Sequence, residues 1–240
     1  MPLAILLSIP HGGSEIPPEI ADRVIATPEE IFEDGDAFTR EIYDLGTQVD
    51  HVQSAAVARA FVDLNRAEED RPPKNPDGVV KTATCFDRPL YREPLDDPLT
   101  ERLLARYHRP YHDALEHAAR RGAARLGLDC HSMAAEPPPV APDRGRPRPL
   151  FCLSNAEGTC PGEWMPVLAK CFEASFQLPI AINDPFPGGY IIRAHARELP
   201  WVQLELSRAP FMTDGEKRAR VLEALSAWCR AGGPSLGPVG

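Results

Sequence analysis

The run Leu3-Ala4-Ile5-Leu6-Leu7-Ser8-Ile9 is almost wholly apolar and stops abruptly at Pro10-His11-Gly12-Gly13. A run of that length bounded by turn residues reads as a strand covered on both faces, as in a parallel sheet enclosed by helices. The glycine pair then lets the backbone turn sharply just beyond the imidazole. Ligands of open α/β sheets collect outside the carboxyl ends of the strands, so His11 stands where chemistry is usually done. A lone histidine at a strand end equally fits a hydrogen-bonded structural residue, and its partners decide between the two.

The rest of the chain alternates strand and helix patterns. Thr27-Pro28-Glu29-Glu30 is a helix start with a threonine cap, and Asp34 to Leu45 has Phe38, Ile42 and Leu45 on one helical face. Val49 to Val62 reads as a strand region leading into Asp63-Leu64-Asn65-Arg66, and Ala67 to Pro98 as a long functional loop. Leu99 to Leu126 is the strongest helical pattern, interrupted by Pro110 and ending near Gly122 or Gly127. Leu128 to Met133, Leu150 to Leu153, Tyr190 to Ile192 and Trp201 to Leu206 are expected strands, with helices over Glu163 to Phe176 and Asp214 to Arg230. This order predicts an α/β fold, a mixed β-sheet flanked by helices, with residues 1–240 as a single domain.

The charge balance narrows the partners. With 26 basic and 35 acidic residues the net charge of −9 disfavours nonspecific binding to nucleic acid or to an anionic membrane. No stretch approaches the ~20 apolar residues of a membrane helix, and the N-terminal run lacks the features of a signal peptide. The six cysteines form no CxxC pair, which disfavours a zinc ribbon and suits reduced thiols in a cytoplasmic protein. Cys130 precedes His131, but neighbours on a strand point to opposite faces, so a buried structural thiol is the better reading than a Cys-His nucleophile.

His131 repeats the setting of His11 at the end of a second apolar segment. Two imidazoles and a carboxylate make the three-ligand, open site of a catalytic zinc, although two unrelated structural histidines fit the long spacing as well. The carboxylate candidates are Asp36, Asp34 and Glu15, while Asp129, two residues before His131, suits an orienting role. Glu205 interrupts the apolar alternation of its strand, so it faces either solvent or a site in which it serves as general base. Asn65, Arg66, Arg88 and Arg193 are candidates to hold a small anionic substrate by paired hydrogen bonds. No GxSxG elbow supports a serine hydrolase.

Together these segments resemble the N-formylglutamate amidohydrolase family over most of the chain. The resemblance rests on Ser8-Ile9-Pro10-His11-Gly12-Gly13, Asp34-Gly35-Asp36, Asp63-Leu64-Asn65-Arg66, Gly78-Val79-Val80, Pro89-Leu90-Tyr91, Tyr107-His108 with Tyr111-His112, Asp129-Cys130-His131-Ser132-Met133, Gly188 to Arg193, and Gln203-Leu204-Glu205-Leu206. It implies a phosphorylase/hydrolase-like fold similar to zinc carboxypeptidases. It also implies metal-dependent cleavage of a small N-acyl amino acid such as N-formylglutamate. By the same resemblance His11, His131 and a carboxylate, Asp36 ahead of Asp34 or Glu15, hold Zn2+ or another divalent ion. Glu205 becomes the base, and Asn65-Arg66 matches a pair used on the substrate carboxylate. Where family members often have a histidine directly after the arginine, this chain has Ala194-His195, and the Pro- and Arg-rich stretch 136–149 is positioned to reshape a pocket. A metallo-carboxypeptidase or peptidoglycan amidase, and a catalytically silent binding protein, are the alternatives. Oligomeric state is not fixed by the sequence.

Overall fold

A computed structural model describes residues 1–121, 123–139 and 141–231. Its centre is a six-stranded mixed sheet in the order β2-β1-β3-β6-β4-β5. The strands are β1 (Leu3–Ile9), β2 (Val49–Ser54), β3 (Leu126–Met133), β4 (Phe151–Ser154), β5 (Ala181–Ile182) and β6 (Trp201–Ser207). β2, β1, β3 and β6 run parallel, so their carboxyl ends share one edge, while β4 pairs antiparallel to β6 and parallel to β5.

The pleat sorts side chains into two layers. Ile5, Leu7 and Ile9 of β1, Leu126, Leu128 and Cys130 of β3, and Val202, Leu204 and Leu206 of β6 enter one apolar core. That core is closed by α2 (Thr39–Tyr43), α5 (Trp164–Phe176) and α7 (Asp214–Arg230). The alternate positions Ser8, Asp129, His131, Gln203 and Glu205 turn to the other face, and all are buried. Burying such a polar row is costly unless each group finds a partner, and the partners below therefore define the site. Cys130 and His131 do take opposite faces, as the strand period demands.

Thr27 caps α1 (Pro28–Asp34) with a full capping box to Glu30. α1 is the helix expected from Thr27, and it ends at Asp34; the helix expected over Asp34 to Leu45 shrinks to α2, separated from α1 at residues 35–38, where Phe38 takes φ 64°. The break has a cause: the Asp34 carboxylate accepts from Lys81 Nζ and Cys85 N, while Asp36 is drawn toward the sheet edge. β2 stops at Ser54 rather than running to Val62, and Ala58 to Val62 coils into turns closed by Phe61 N and Val62 N donating to Ala58 O. The long helix runs as α3 (Asp97–Leu103), a π-helical turn (Leu104–His108) and α4 (Arg109–Arg120). Pro110 has no N–H to continue the ladder, which accounts for the widened turn before it. Of the two expected ends, Gly122 lies outside the described residues and Gly127 is inside β3.

Tyr190-Ile191-Ile192 is not a strand but the start of α6 (Tyr190–Ala194). Three apolar residues carry no period of their own, and the Asn65 side chain decides the matter by accepting from Ile191 N at 2.8 Å. Gly13 also differs from expectation. Its φ is not in the left-handed region; instead a Cβ there would collide with the carbonyls of Ala56 and Val57, so glycine permits a close backbone crossing rather than a turn.

Candidate active site

The parallel edge delivers His11 just beyond β1, His131 near the end of β3 and Glu205 near the end of β6, with His131 and Glu205 side by side in register. They border a cleft of about 620 Å3 that also receives Asp36, Asp63 and Asn65. His11 Nε2 donates to Asp63 Oδ1 at 2.8 Å, and His131 Nε2 donates to Asp129 Oδ2 at 2.8 Å. A carboxylate only accepts, so each ring carries its proton on Nε2 and, when neutral, presents a lone pair at Nδ1. Those two Nδ1 atoms lie 3.1 Å apart, and Asp36 Oδ2 lies 3.2 Å from the first and 2.8 Å from the second.

Three acceptors therefore converge with no donor of their own. Such a cluster is repulsive until protons or a cation enter it. Burial alone would lower the His11 and His131 values, but the facing carboxylates win: Asp63 and Asp36 raise His11, and Asp129 with Asp36 raises His131 well above the usual histidine range. Asp36 would rise on burial but is held well below the usual carboxylate range by His11 and His131. Ligands about 2.0–2.1 Å from a tetrahedral zinc stand about 3.3 Å from one another, close to the spacing found here. The N, N, O donor set thus fits a zinc-like ion.

The supporting contacts are themselves anchored. Asp63 accepts from Asn65 N at 2.9 Å and from Arg59 Nε at 3.1 Å, and Asp129 accepts from Ser8 Oγ at 2.9 Å. Tyr43 Oη donates to the His131 carbonyl at 2.9 Å. Glu205 belongs to an interior strand and faces the cleft, not solvent. Gln203 Nε2 donates to its Oε1 at 2.9 Å, and Gln203 Oε1 accepts from Gly189 N at 2.6 Å. Burial, aided by the nearby Asp36 carboxylate, raises the Glu205 carboxyl to about 7, with His131, Gln203 and His11 only partly opposing the shift. A Cβ at Gly189 would strike the Asn65 side chain, whose Oδ1 is held by Ile191 N.

Residues 3–212 match the N-formylglutamate amidohydrolase family. The chain belongs to that family. It is 29% identical over 232 residues to an N-formylglutamate deformylase of Pseudomonas putida, covering 89% of this chain and 84% of the relative. The fold is that of the N-formylglutamate amidohydrolase of Ralstonia eutropha, with a TM-score of 0.78, 23% identity and coverage of 97% and 96% of the two chains. A gene product of Agrobacterium tumefaciens shares it at TM-score 0.71 and 16% identity, over 95% and 90% of the chains.

For this family member the structure separates the carboxylates that the sequence left open. Asp36 meets the histidines, Asp34 is taken by Lys81, and Glu15 is exposed on the segment beside Val57, away from the cleft lining. Asn65 and Arg66 line the cleft, and Asn65 Nδ2 stands 3.2 Å from His131 Nε2. Arg88 and Arg193 do not line it: both are exposed, and Arg193 Nη2 donates to Gly188 O at 3.3 Å. The reason is local, since Arg193 lies on the outer side of α6, whose Ile191 and Ile192 face inward.

Several contributors went unassigned from sequence. Asp63 was visible within Asp63-Leu64-Asn65-Arg66, and Arg59, four residues before it, is its ion-pair partner. His108 and His112 hold the same loop from behind: their Nε2 atoms donate to Arg66 O at 2.9 Å and Leu64 O at 3.0 Å, the carbonyls flanking Asn65. His112 Nδ1 then accepts from His195 Nε2 at 2.9 Å, which places His195 in this clamp and outside the cleft lining. Their i, i+4 spacing on one continuous helical stretch was the available signal.

Proposed function

We propose that this protein is a metal-dependent amidohydrolase that cleaves a small N-acyl amino acid, with N-formylglutamate as the representative substrate. The convergence of His11 Nδ1, His131 Nδ1 and Asp36 Oδ2, each ring held from behind by a buried carboxylate, carries this reading. His11, Asp36 and His131 would hold the ion, and zinc suits the donor set. A divalent ion there supplies Lewis acidity to the acyl carbonyl and lowers the cost of deprotonating water.

The chain's own groups account for the rest. Asp63 and Asp129 fix both rings, so the Nδ1 atoms stay directed inward. Glu205, with a carboxyl at about 7, takes a proton from water as it adds to the carbonyl and returns it to the departing nitrogen. One water is consumed, the C–N bond breaks, and an acid and an amine are released. Gln203 holds Oε1 of Glu205 and Gly189 together, which fixes the carboxylate beside the substrate loop. Asn65 and Arg66 border the substrate from the loop after Asp63. A formate and acetate release assay over N-formyl and N-acetyl amino acids, with and without chelator, tests the proposal. Release that chelator abolishes supports it, and no release from any compound at saturating metal rejects it.

A further inference from the structure

Four arginines line the cleft, and three are already matched to carboxylates. Arg148 makes a two-pronged pair with Asp143, at 2.7 Å from Nε and 3.0 Å from Nη2. Arg59 donates to Asp63 at 3.1 Å and stands 3.8 Å from both Asp34 and Asp77. Arg66 lies 3.1 Å from Asp77, 3.6 Å from Asp70 and 3.8 Å from Asp63. Arg208 differs. Its Nη1 donates to the carbonyl of Gly35 at 3.2 Å, and it has no carboxylate partner among the described residues.

Position makes that difference useful. Arg208 immediately follows β6, three residues beyond Glu205, and its backbone N–H donates to Met133 O at the end of β3 at 2.9 Å. The strands that carry His131 and Glu205 therefore also carry this guanidinium, and its one contact is to the residue before Asp36. Acidic residues outnumber arginines along the cleft lining, so an anionic substrate needs a cation that no resident carboxylate has neutralised. A guanidinium matches a carboxylate by two parallel N–H···O bonds, and the one weak backbone bond leaves most of its donors available.

We propose that Arg208 receives a free carboxylate of the substrate and so sets the preference for charged N-acyl amino acids, while Arg66 serves chiefly to order its own acidic loop. This rests on the amidohydrolase reading above. The test compares kcat/KM for N-formylglutamate, N-formylglutamine and N-formylisoglutamine in the wild type, Arg208→Gln and Arg208→Lys. The wild type should favour N-formylglutamate over at least one of the two amides, and Arg208→Gln should shrink that preference by about 10- to 100-fold, mainly through KM. Arg208→Lys, which keeps the charge and loses the fork, should retain part of it. An undiminished preference in Arg208→Gln overturns the assignment. Should the wild type release formate from none of the three, the amidohydrolase reading rests on the full N-formyl and N-acetyl panel above, and calorimetric titration with glutarate decides Arg208 by itself. There, binding at least about tenfold weaker in Arg208→Gln upholds the assignment, and equal binding by both proteins, or by neither, overturns it.

Discussion

At His11 and His131 each Nε2 faces a buried carboxylate, whereas at His108 and His112 each Nε2 faces a backbone carbonyl. All four rings are largely enclosed, yet they respond in opposite senses. In the first cluster the carboxylates outweigh burial and raise both histidines, so positive charge is welcome between them. In the second, burial dominates: it lowers His108, and together with His108 and His195 it pushes His112 down to about 3. The partner of the remote nitrogen thus separates a cluster that favours positive charge from a neutral loop clamp. Burial alone does not.

Removing a member of the first cluster should have the largest effect. His11→Ala or His131→Ala is expected to lose bound divalent metal and to lower formate release by on the order of 1,000-fold or more, measured at saturating metal with the fold checked by circular dichroism. Glu205→Gln keeps the three converging acceptors and removes the proposed proton carrier. It should retain the metal while kcat falls by about 100- to 10,000-fold, and a kcat near wild type would remove Glu205 from the mechanism.

Asp63→Asn and Asp129→Asn convert the first cluster toward the second by neutralising the group behind each ring. Metal affinity should fall by about 10- to 100-fold in a chelator competition, and unchanged affinity would show that the carboxylates do not matter to the site.

The clamp's effect falls on stability and leaves metal binding unchanged. Folded His112 resists protonation down to about 3, whereas the unfolded residue binds its proton below 6.5. Between those values the unfolded state holds the extra proton, so stability is full above 6.5 and falls as the pH drops, by up to about 1.4 kcal/mol per pH unit. His112→Gln should flatten this slope in urea unfolding at pH 4–6.5, and an equally steep slope would locate the acid sensitivity elsewhere.

Strand period separated Cys130 from His131 in advance, and the continuous apolar run of β1 marked a strand covered on both faces. Glu205 stood out because it broke an apolar pattern. The choice among Asp36, Asp34 and Glu15 was not legible, because it depends on where Lys81 and the break between α1 and α2 fall, and these are contacts between distant segments. The same holds for Arg88 and Arg193, whose absence from the cleft lining depends on which side of a loop or a short helix each side chain occupies. Tyr190 to Ile192 misled because the first turn of its helix is capped by the side chain of Asn65, 126 residues away from Ile191 in sequence.

Metal stoichiometry by elemental analysis after dialysis, for wild type, His11→Ala and His112→Gln side by side, tests the distinction between the two clusters most directly. One divalent ion per chain in the wild type and in His112→Gln, with none in His11→Ala, is the expected result. Metal retained in His11→Ala, or lost in His112→Gln, would contradict it.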